Sequence, residues 1–267
     1  MSTEIYYFSG TGNSLHVSKE LQNRLPKSSL LPIISLLKKE KIKVNAEKVG
    51  IVFPIHALTF PWVVKDFLQK IDLESDSYLF AIATRECFAT VFSKIDKLLA
   101  NQNRSLDAYL SFEMPTNYVL MFNTYSQEKI DNAESKMLEK LDSFVQVVNN
   151  RETFRPKDNP MYFGLSHVVY PLLTYWFQKR RFPKMERSFY VDNNCSGCGI
   201  CEQVCLSNKI KIVDKKPVWQ ENVKCTYCLA CLHYCPDCAI QIMGRNTVNR
   251  GRYHHPDVLA TDIINQK

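Results

Sequence analysis

The chain has 267 residues, 45% of them hydrophobic and 12% aromatic, and a formal charge of +7. That length and composition suit two modest globular domains and exclude an intrinsically disordered chain. The excess charge is local, because residues 151–190 hold eight Lys/Arg against three Asp/Glu; a basic patch at 179–187 remains, but nucleic-acid binding is not indicated.

Met1-Ser2-Thr3-Glu4 runs straight into the apolar Ile5-Tyr6-Tyr7-Phe8, with no basic stretch and no cleavage site, so no signal peptide is expected. Residues 161–177 are the best membrane candidate. They fall short of the roughly 20 residues a span requires and are interrupted by Gly164, His167 and Pro171. A cytoplasmic protein without a membrane span is expected.

Residues 1–150 alternate strand and helix signals. A strand over 4–8 leads into a Gly-rich turn and a helix over 14–25, stopped by Pro26. Strands are predicted at 30–34, 49–53, 78–83 and 106–112, and helices at 61–71 and 90–100. A long helix at 126–149 places Ile130, Ala133, Met137, Leu138, Leu141, Phe144 and Val148 on one face. Five strands joined by crossovers predict an α/β doubly wound parallel sheet. Residues 151–190 read as a connector, a helical hairpin packing the two domains together or a contact for a partner or membrane surface. Residues 191–243 form the second domain, and 244–267 a C-terminal tail.

Nine of the ten cysteines lie between Cys195 and Cys238, and Cys87 is the exception. A disulfide framework is unexpected in a cytosolic chain, so metal binding is the better reading. Cys195, Cys198, Cys201 and Cys205 repeat at an offset of 30 as Cys225, Cys228, Cys231 and Cys235, and Ile210 and Ile212 repeat as Ile240 and Ile242. One small unit is therefore used twice. Three thiolates two residues apart wrap one cubane and the fourth crosses to the other. Cys195, Cys198, Cys201 and Cys235 are thus expected on one [4Fe–4S] cluster, and Cys225, Cys228, Cys231 and Cys205 on a second. Zinc ribbons use paired knuckles, usually at longer separations. The segment resembles bacterial two-cluster ferredoxins, a small α+β fold, with Leu206 where the first motif usually has Pro. Cys238 has Asn208 as its counterpart and is expected to be a small buried or near-cluster residue; His233 is expected to be structural.

After the first strand comes Ser9-Gly10-Thr11-Gly12-Asn13-Ser14, opening a helix. Amides and hydroxyls there converge on an anion, favoured by the helix dipole, and no lysine or arginine is present. The P-loop pattern is absent, and Leu15 stands where a dinucleotide fingerprint has its third glycine. The pattern resembles the FMN-phosphate loop of flavodoxins. That resemblance implies a strand order of 2-1-3-4-5 and a flavin at the switch point between the first and third strands. It also implies flavin contacts from the following loops: Pro54, Ile55, His56 and Ala57, with His56 or Phe60 stacking on the ring, and Thr84, Arg85 and Glu86. Arg85-Glu86-Cys87 stands where the family often has glycines. Arg85 beside the ring or in a surface ion pair with Glu86 are both open.

A flavodoxin-like half followed by a two-cluster half resembles the flavodoxin–ferredoxin fusion ("ferrodoxin") family. Further matching stretches are residues 114–118 and 252–256, which implies that Asn117 and Tyr118 lie near the flavin. Two oxidised clusters add roughly −4 and an FMN phosphate up to about −2, leaving the loaded protein near neutral. Three functions are open: an electron carrier linking a ferredoxin-type redox partner, two clusters and FMN; a flavin-dependent oxidoreductase of a small substrate; or an adaptor that docks through the connector. No nucleophile–base constellation is visible, and no catalytic residue is assigned.

Overall fold

The computed structural model describes residues 2–85, 91–156 and 169–267, without the side chains of Tyr170 and Pro171. Glu86 and Cys87 lie outside the described residues, as do residues 157–168 of the connector.

Five strands, β1 (Thr3–Tyr7), β2 (Ser28–Pro32), β4 (Lys48–Pro54), β6 (Tyr78–Arg85) and β7 (Ala108–Glu113), form a parallel sheet in the order β2-β1-β4-β6-β7. Counted along the sheet alone, this is the doubly wound 2-1-3-4-5 order of the flavodoxin-like fold. β4 and β6 sit centrally and read as near-continuous apolar runs because helices cover both faces. Two short strands escaped the sequence pattern. β3 (Ile42–Val44) and β5 (Ile71–Leu73) pair in parallel as a separate ribbon; three residues are too few to show alternation.

The covering helices are α1 (Asn13–Arg24), α2 (Ile33–Leu36), α3 (Trp62–Lys70), α4 (Phe92–Leu99) and α5 (Gln127–Asn149). The second strand ends at Pro32, and the apolar Ile33 starts α2 instead of continuing it. Pro61 stands just before α3, where its missing N–H costs nothing. The C-terminal half of α5 buries Met137, Leu141, Phe144, Val145 and Val148 against the sheet; Ile130, Ala133 and Leu138 are half-buried.

The connector continues as α6 (Tyr170–Trp176), a π-helical stretch Phe177–Arg181, and α7 (Phe182–Glu186). The cysteine-rich segment is a small α+β unit. β8 (Phe189–Val191) pairs antiparallel with β11 (Ile240–Ile242), and β9 (Ile210–Val213) with β10 (Lys216–Trp219). Two short helices, α8 (Ile200–Gln203) and α9 (Ala230–His233), lie between them. The duplication extends to the backbone. Left-handed φ values occur at Gly197 and Tyr227 (78° and 56°), Gly199 and Leu229 (79° and 60°), and Asn208 and Cys238 (56° and 49°), each pair 30 residues apart. The tail ends in α10 (Ala260–Ile264), which returns to the first domain. Among the described residues no helix is long and apolar enough to cross a membrane.

Gly50 in β4 pairs with Phe80 in β6, whose buried ring folds over it. A Cβ at Gly50 would stand 2.4 Å from that ring. Gly50→Ala is expected to cost about 1–3 kcal/mol through overpacking. Adding Phe80→Leu should recover most of the loss, both read from urea unfolding midpoints.

Candidate functional site

The carboxyl ends of β1, β4, β6 and β7 point their loops to one side, where ligands bind in doubly wound sheets. They meet the cysteine-rich unit and the connector around a cavity of about 260 Å³. Ser9, Gly10, Thr11, Asn13 and Ser14 line it from the first loop, Pro54 to Leu58 from the next, and Thr84 and Arg85 from the third. Asn117 and Tyr118 line it from the loop after β7. Gly12 does not. Its φ of 102° turns the chain into α1, and a Cβ there would stand 2.8 Å from His255 and 2.9 Å from Val258.

The first loop is largely tied by its own protein. Gly12 N–H donates to Ser9 Oγ (3.2 Å), Asn117 Nδ2 donates to Thr11 Oγ1 (2.6 Å), and Ser14 Oγ bonds Thr84 Oγ1 (2.7 Å). The amides of Gly10, Thr11, Asn13 and Ser14, all in buried residues, meet no acceptor among the described residues. Buried donors without acceptors cost free energy unless a ligand takes them. Four of them beside the positive end of a twelve-residue helix suit a phosphate.

In the second loop His56 and Thr59 exchange backbone hydrogen bonds across Ala57 and Leu58, both left-handed. His56 faces the cavity, its ring 6.2 Å from Phe8, and apolar surroundings hold its imidazole down to about 4, so it is neutral near pH 7. Phe60 is buried edge-on to Phe53 (6.2 Å), so of the two predicted stacking rings only His56 lines the cavity. Arg85 ends β6 at the cavity; its predicted partner Glu86 lies outside the described residues.

Nine cysteines are described, all free thiols. Cys195, Cys198, Cys201 and Cys235 surround one small void. Burial pushes Cys201 up to about 11, with Cys235, Cys198 and Cys195 adding to it. Burial and the neighbouring Cys205, Cys228 and Cys225 raise Cys231. Burial likewise raises Cys225, with Cys228 and Cys205 adding to it. Cys235 thus shares a void with the first motif, while Cys205 and also Cys201 act electrostatically on Cys231 of the second. Thiolates on one zinc ion lie about 3.8 Å apart, given a Zn–S bond of about 2.3 Å. Among the described residues no three cysteines hold their sulfurs within 4.8 Å of one another. Cys238 is exposed, so of the two expectations, a buried or a near-cluster residue, the first does not hold. Its N–H donates to Cys235 O (3.1 Å), as Asn208 N–H does to Cys205 O (2.9 Å), so both close the same turn.

The units interlock. A Cβ on Gly10 would stand 2.4 Å from Cys228 O and 2.6 Å from Cys228 Cβ, so the first loop rests on the backbone of a cysteine motif. Trp62 Nε1 donates to Cys225 O (2.9 Å). Glu186 accepts from Cys225 N–H (3.3 Å) and Tyr227 OH (2.8 Å) and pairs with buried Lys209 (2.6 Å). His233 accepts at Nδ1 from Tyr253 N–H (3.1 Å) and donates from Nε2 to Asn117 O (2.7 Å), which makes it a structural linker.

The tail closes the back of the first loop. His255 N–H donates to Thr11 O (2.8 Å), Tyr253 OH to Asn13 Oδ1 (2.9 Å), and Gln266 bonds both Ser9 N–H (3.0 Å) and Ser9 O (2.8 Å). The His16 and His255 rings stack at 3.8 Å and meet the Glu134 carboxylate through their Nε2 atoms (2.6 and 3.4 Å). His16, His255 and Asp257 also bring ligand atoms within 4.8 Å of one another. Stacked rings point their in-plane lone pairs side by side rather than at one ion, so the cluster reads as a latch. Sequence reasoning had no signal for this packing beyond the matching stretch at 252–256. It also missed the wall that Phe177, Phe182 and Met185 contribute from the connector.

No protein-family model matches the chain, and no curated protein does. Among solved structures it is similar to Smu.1420 from Streptococcus mutans UA159, at 13% identity over 54% of this chain and 100% of that one, TM-score 0.39. It is similar to an azoreductase from Bacillus anthracis str. Sterne, at 12% identity over 56% of this chain and 100% of that one, TM-score 0.38. A flavodoxin from the domain Archaea gives 9% identity over 53% and 99%, TM-score 0.33.

Burial raises the Glu134 carboxyl, but the hydrogen bonds from His16 and His255 outweigh it and hold the group at about 2, against 4.5 ordinarily. The ionised form thus stabilises the fold above pH 4.5, and that contribution is lost as pH falls from 4.5 toward 2. Glu134→Gln is expected to lower the unfolding free energy by up to about 3 kcal/mol near pH 6, with a deficit that narrows as pH falls below about 4.5, read by urea unfolding.

Proposed function

We propose that the chain is an electron-transfer iron–sulfur flavoprotein of the flavodoxin–ferredoxin fusion kind, with FMN in the cavity and two [4Fe–4S] clusters on the two cysteine sets. The observation that carries this is the contact of Gly10 with Cys228: a phosphate-binding loop and a cluster motif share one cavity wall. Supporting it are the four buried amides without acceptors among the described residues and the two cysteine motifs repeated at an offset of 30.

In this reading Gly10, Thr11, Asn13 and Ser14 hold the FMN phosphate through their amides, with the Ser9, Thr11 and Ser14 hydroxyls around it. Pro54, Ile55, His56 and Ala57 flank the ring, and Thr84, Arg85, Asn117 and Tyr118 complete the cavity. Neutral His56 adds no positive charge there, which leaves Arg85 as the cation that would favour an anionic reduced flavin. Cys195, Cys198, Cys201 and Cys235 would hold an outer cluster; Cys225, Cys228, Cys231 and Cys205 would hold an inner one, on the motif that abuts Gly10. Each cluster supplies one electron at a time and FMN takes one or two, so the assembly joins one-electron and two-electron chemistry. Leu58, Phe177, Phe182 and Met185 give the cavity apolar walls.

Anaerobic purification is expected to yield about eight irons, eight sulfides and one FMN per chain. Cys235→Ser should remove about half the iron while FMN stays. Bound zinc without sulfide, or full clusters without flavin, would overturn the reading.

A further inference from the structure

The helical run from α6 through α7 has two faces. One is turned inward: Thr174 Oγ1 donates to Ala57 O (3.2 Å), and Phe177, Phe182 and Met185 line the cavity. The other is exposed and divided along its length. Its first half presents Leu172, Tyr175 and Trp176, which are 70%, 65% and 44% exposed. Its second half presents Lys179, Arg180 and Lys184, with Arg187 just beyond α7. Between residues 177 and 187 the one acidic side chain is Glu186, and it turns inward to Lys209. The outward face is therefore cationic without internal compensation, next to an apolar patch.

Behind that face runs a chain of rings. Trp176 and Phe177 have centroids 5.4 Å apart, Phe177 and Phe182 6.3 Å, and Phe182 stacks on Tyr227 at 4.3 Å. Tyr227 immediately precedes Cys228. The exposed indole is thus joined by contiguous aromatic contacts to the inner cysteine motif and the cavity. Arg181 caps the outer end, 5.2 Å from the centre of the Trp176 ring.

We propose that this face is the docking surface for an acidic one-electron carrier protein, a ferredoxin-type partner with an apolar patch beside its carboxylates. The inference rests on the electron-transfer reading above and adds the place of contact. Charge complementarity selects the partner's sign and speeds its encounter; the apolar half holds it. A helix lying in a membrane surface carries its apolar stripe along its whole length with cations at the flanks. Here the apolar and cationic halves follow one another along the axis, which suits a protein epitope. In the transfer itself one electron leaves the reduced carrier cluster and arrives at the inner cluster; no bond or proton moves.

The test uses the full-length protein, purified anaerobically, and an acidic two-[4Fe–4S] ferredoxin. Calorimetry with the oxidised ferredoxin reads the surface, and stopped-flow bleaching with the reduced ferredoxin reads the transfer. Lys179→Glu/Arg180→Glu/Lys184→Glu is expected to weaken binding and slow second-order reduction at least tenfold at low ionic strength and to flatten the salt dependence. Iron content and bleaching by dithionite should stay unchanged. Trp176→Ala should weaken binding without altering the salt slope. Wild-type affinity and salt slope in the triple variant would overturn the proposal, as would wild-type protein sedimenting with phosphatidylglycerol vesicles while ignoring the ferredoxin. Because calorimetry needs no cluster in this chain, a protein without iron would sink the cofactor reading and still decide the surface.

Discussion

Contact between the first loop and the backbone of Cys228 has no room for a side chain, and most of the molecule is arranged so that it persists. The sheet fixes the loop from one side, through β1 and the start of α1. The cysteine unit arrives from the other, held by Trp62 on Cys225, by Glu186 on Cys225 and Tyr227, and by His233 on Asn117. The tail then takes up the remaining loop groups that do not face the cavity, with Gln266 on Ser9 and His255 on Thr11. Each of these bonds satisfies a polar group that burial would otherwise leave unpaired, so loss of one strand of the network loosens the others.

Much of the candidate site could be read in the chain because its signals are local. Cysteine spacing, the Gly-rich turn after a strand, and the alternation of apolar runs with helical periodicity each lie within a few residues, and they located the five main strands and both cysteine motifs. The strand order came only with the resemblance to flavodoxins, because the doubly wound pattern by itself allows more than one order. What escaped was non-local. Phe177, Phe182 and Met185 look like ordinary amphipathic helix residues until α7 is placed against the cavity. His255, Val258 and Gln266 lie some 240 residues or more from the loop they close. Phe60 was a plausible ring-stacking residue by position, but its contact with Phe53 takes it into the core.

Folding and assembly are coupled by the same arrangement. A flavodoxin-like sheet normally completes its ligand site with its own loops. Here the back of the first loop is closed by the last residues of the chain, and one wall comes from a segment in between. The site is therefore complete only when the whole chain is in place, and the energy of closing it is shared by elements that each bury little apolar surface by themselves.

The duplicated cysteine unit shows where one copy has diverged. At its two tightest turns the first copy has Gly197 and Gly199, residues that take a left-handed backbone without strain. The second copy holds the same turns with Tyr227 and Leu229, which face the cavity. A side chain in that conformation costs about 1–3 kcal/mol. The second copy carries this strain twice, and both side chains so held form part of the shared wall. The two halves of an internal repeat have thus ceased to be equivalent: one makes these two turns with glycines, and the other makes them with side chains that wall the cavity shared with the first domain.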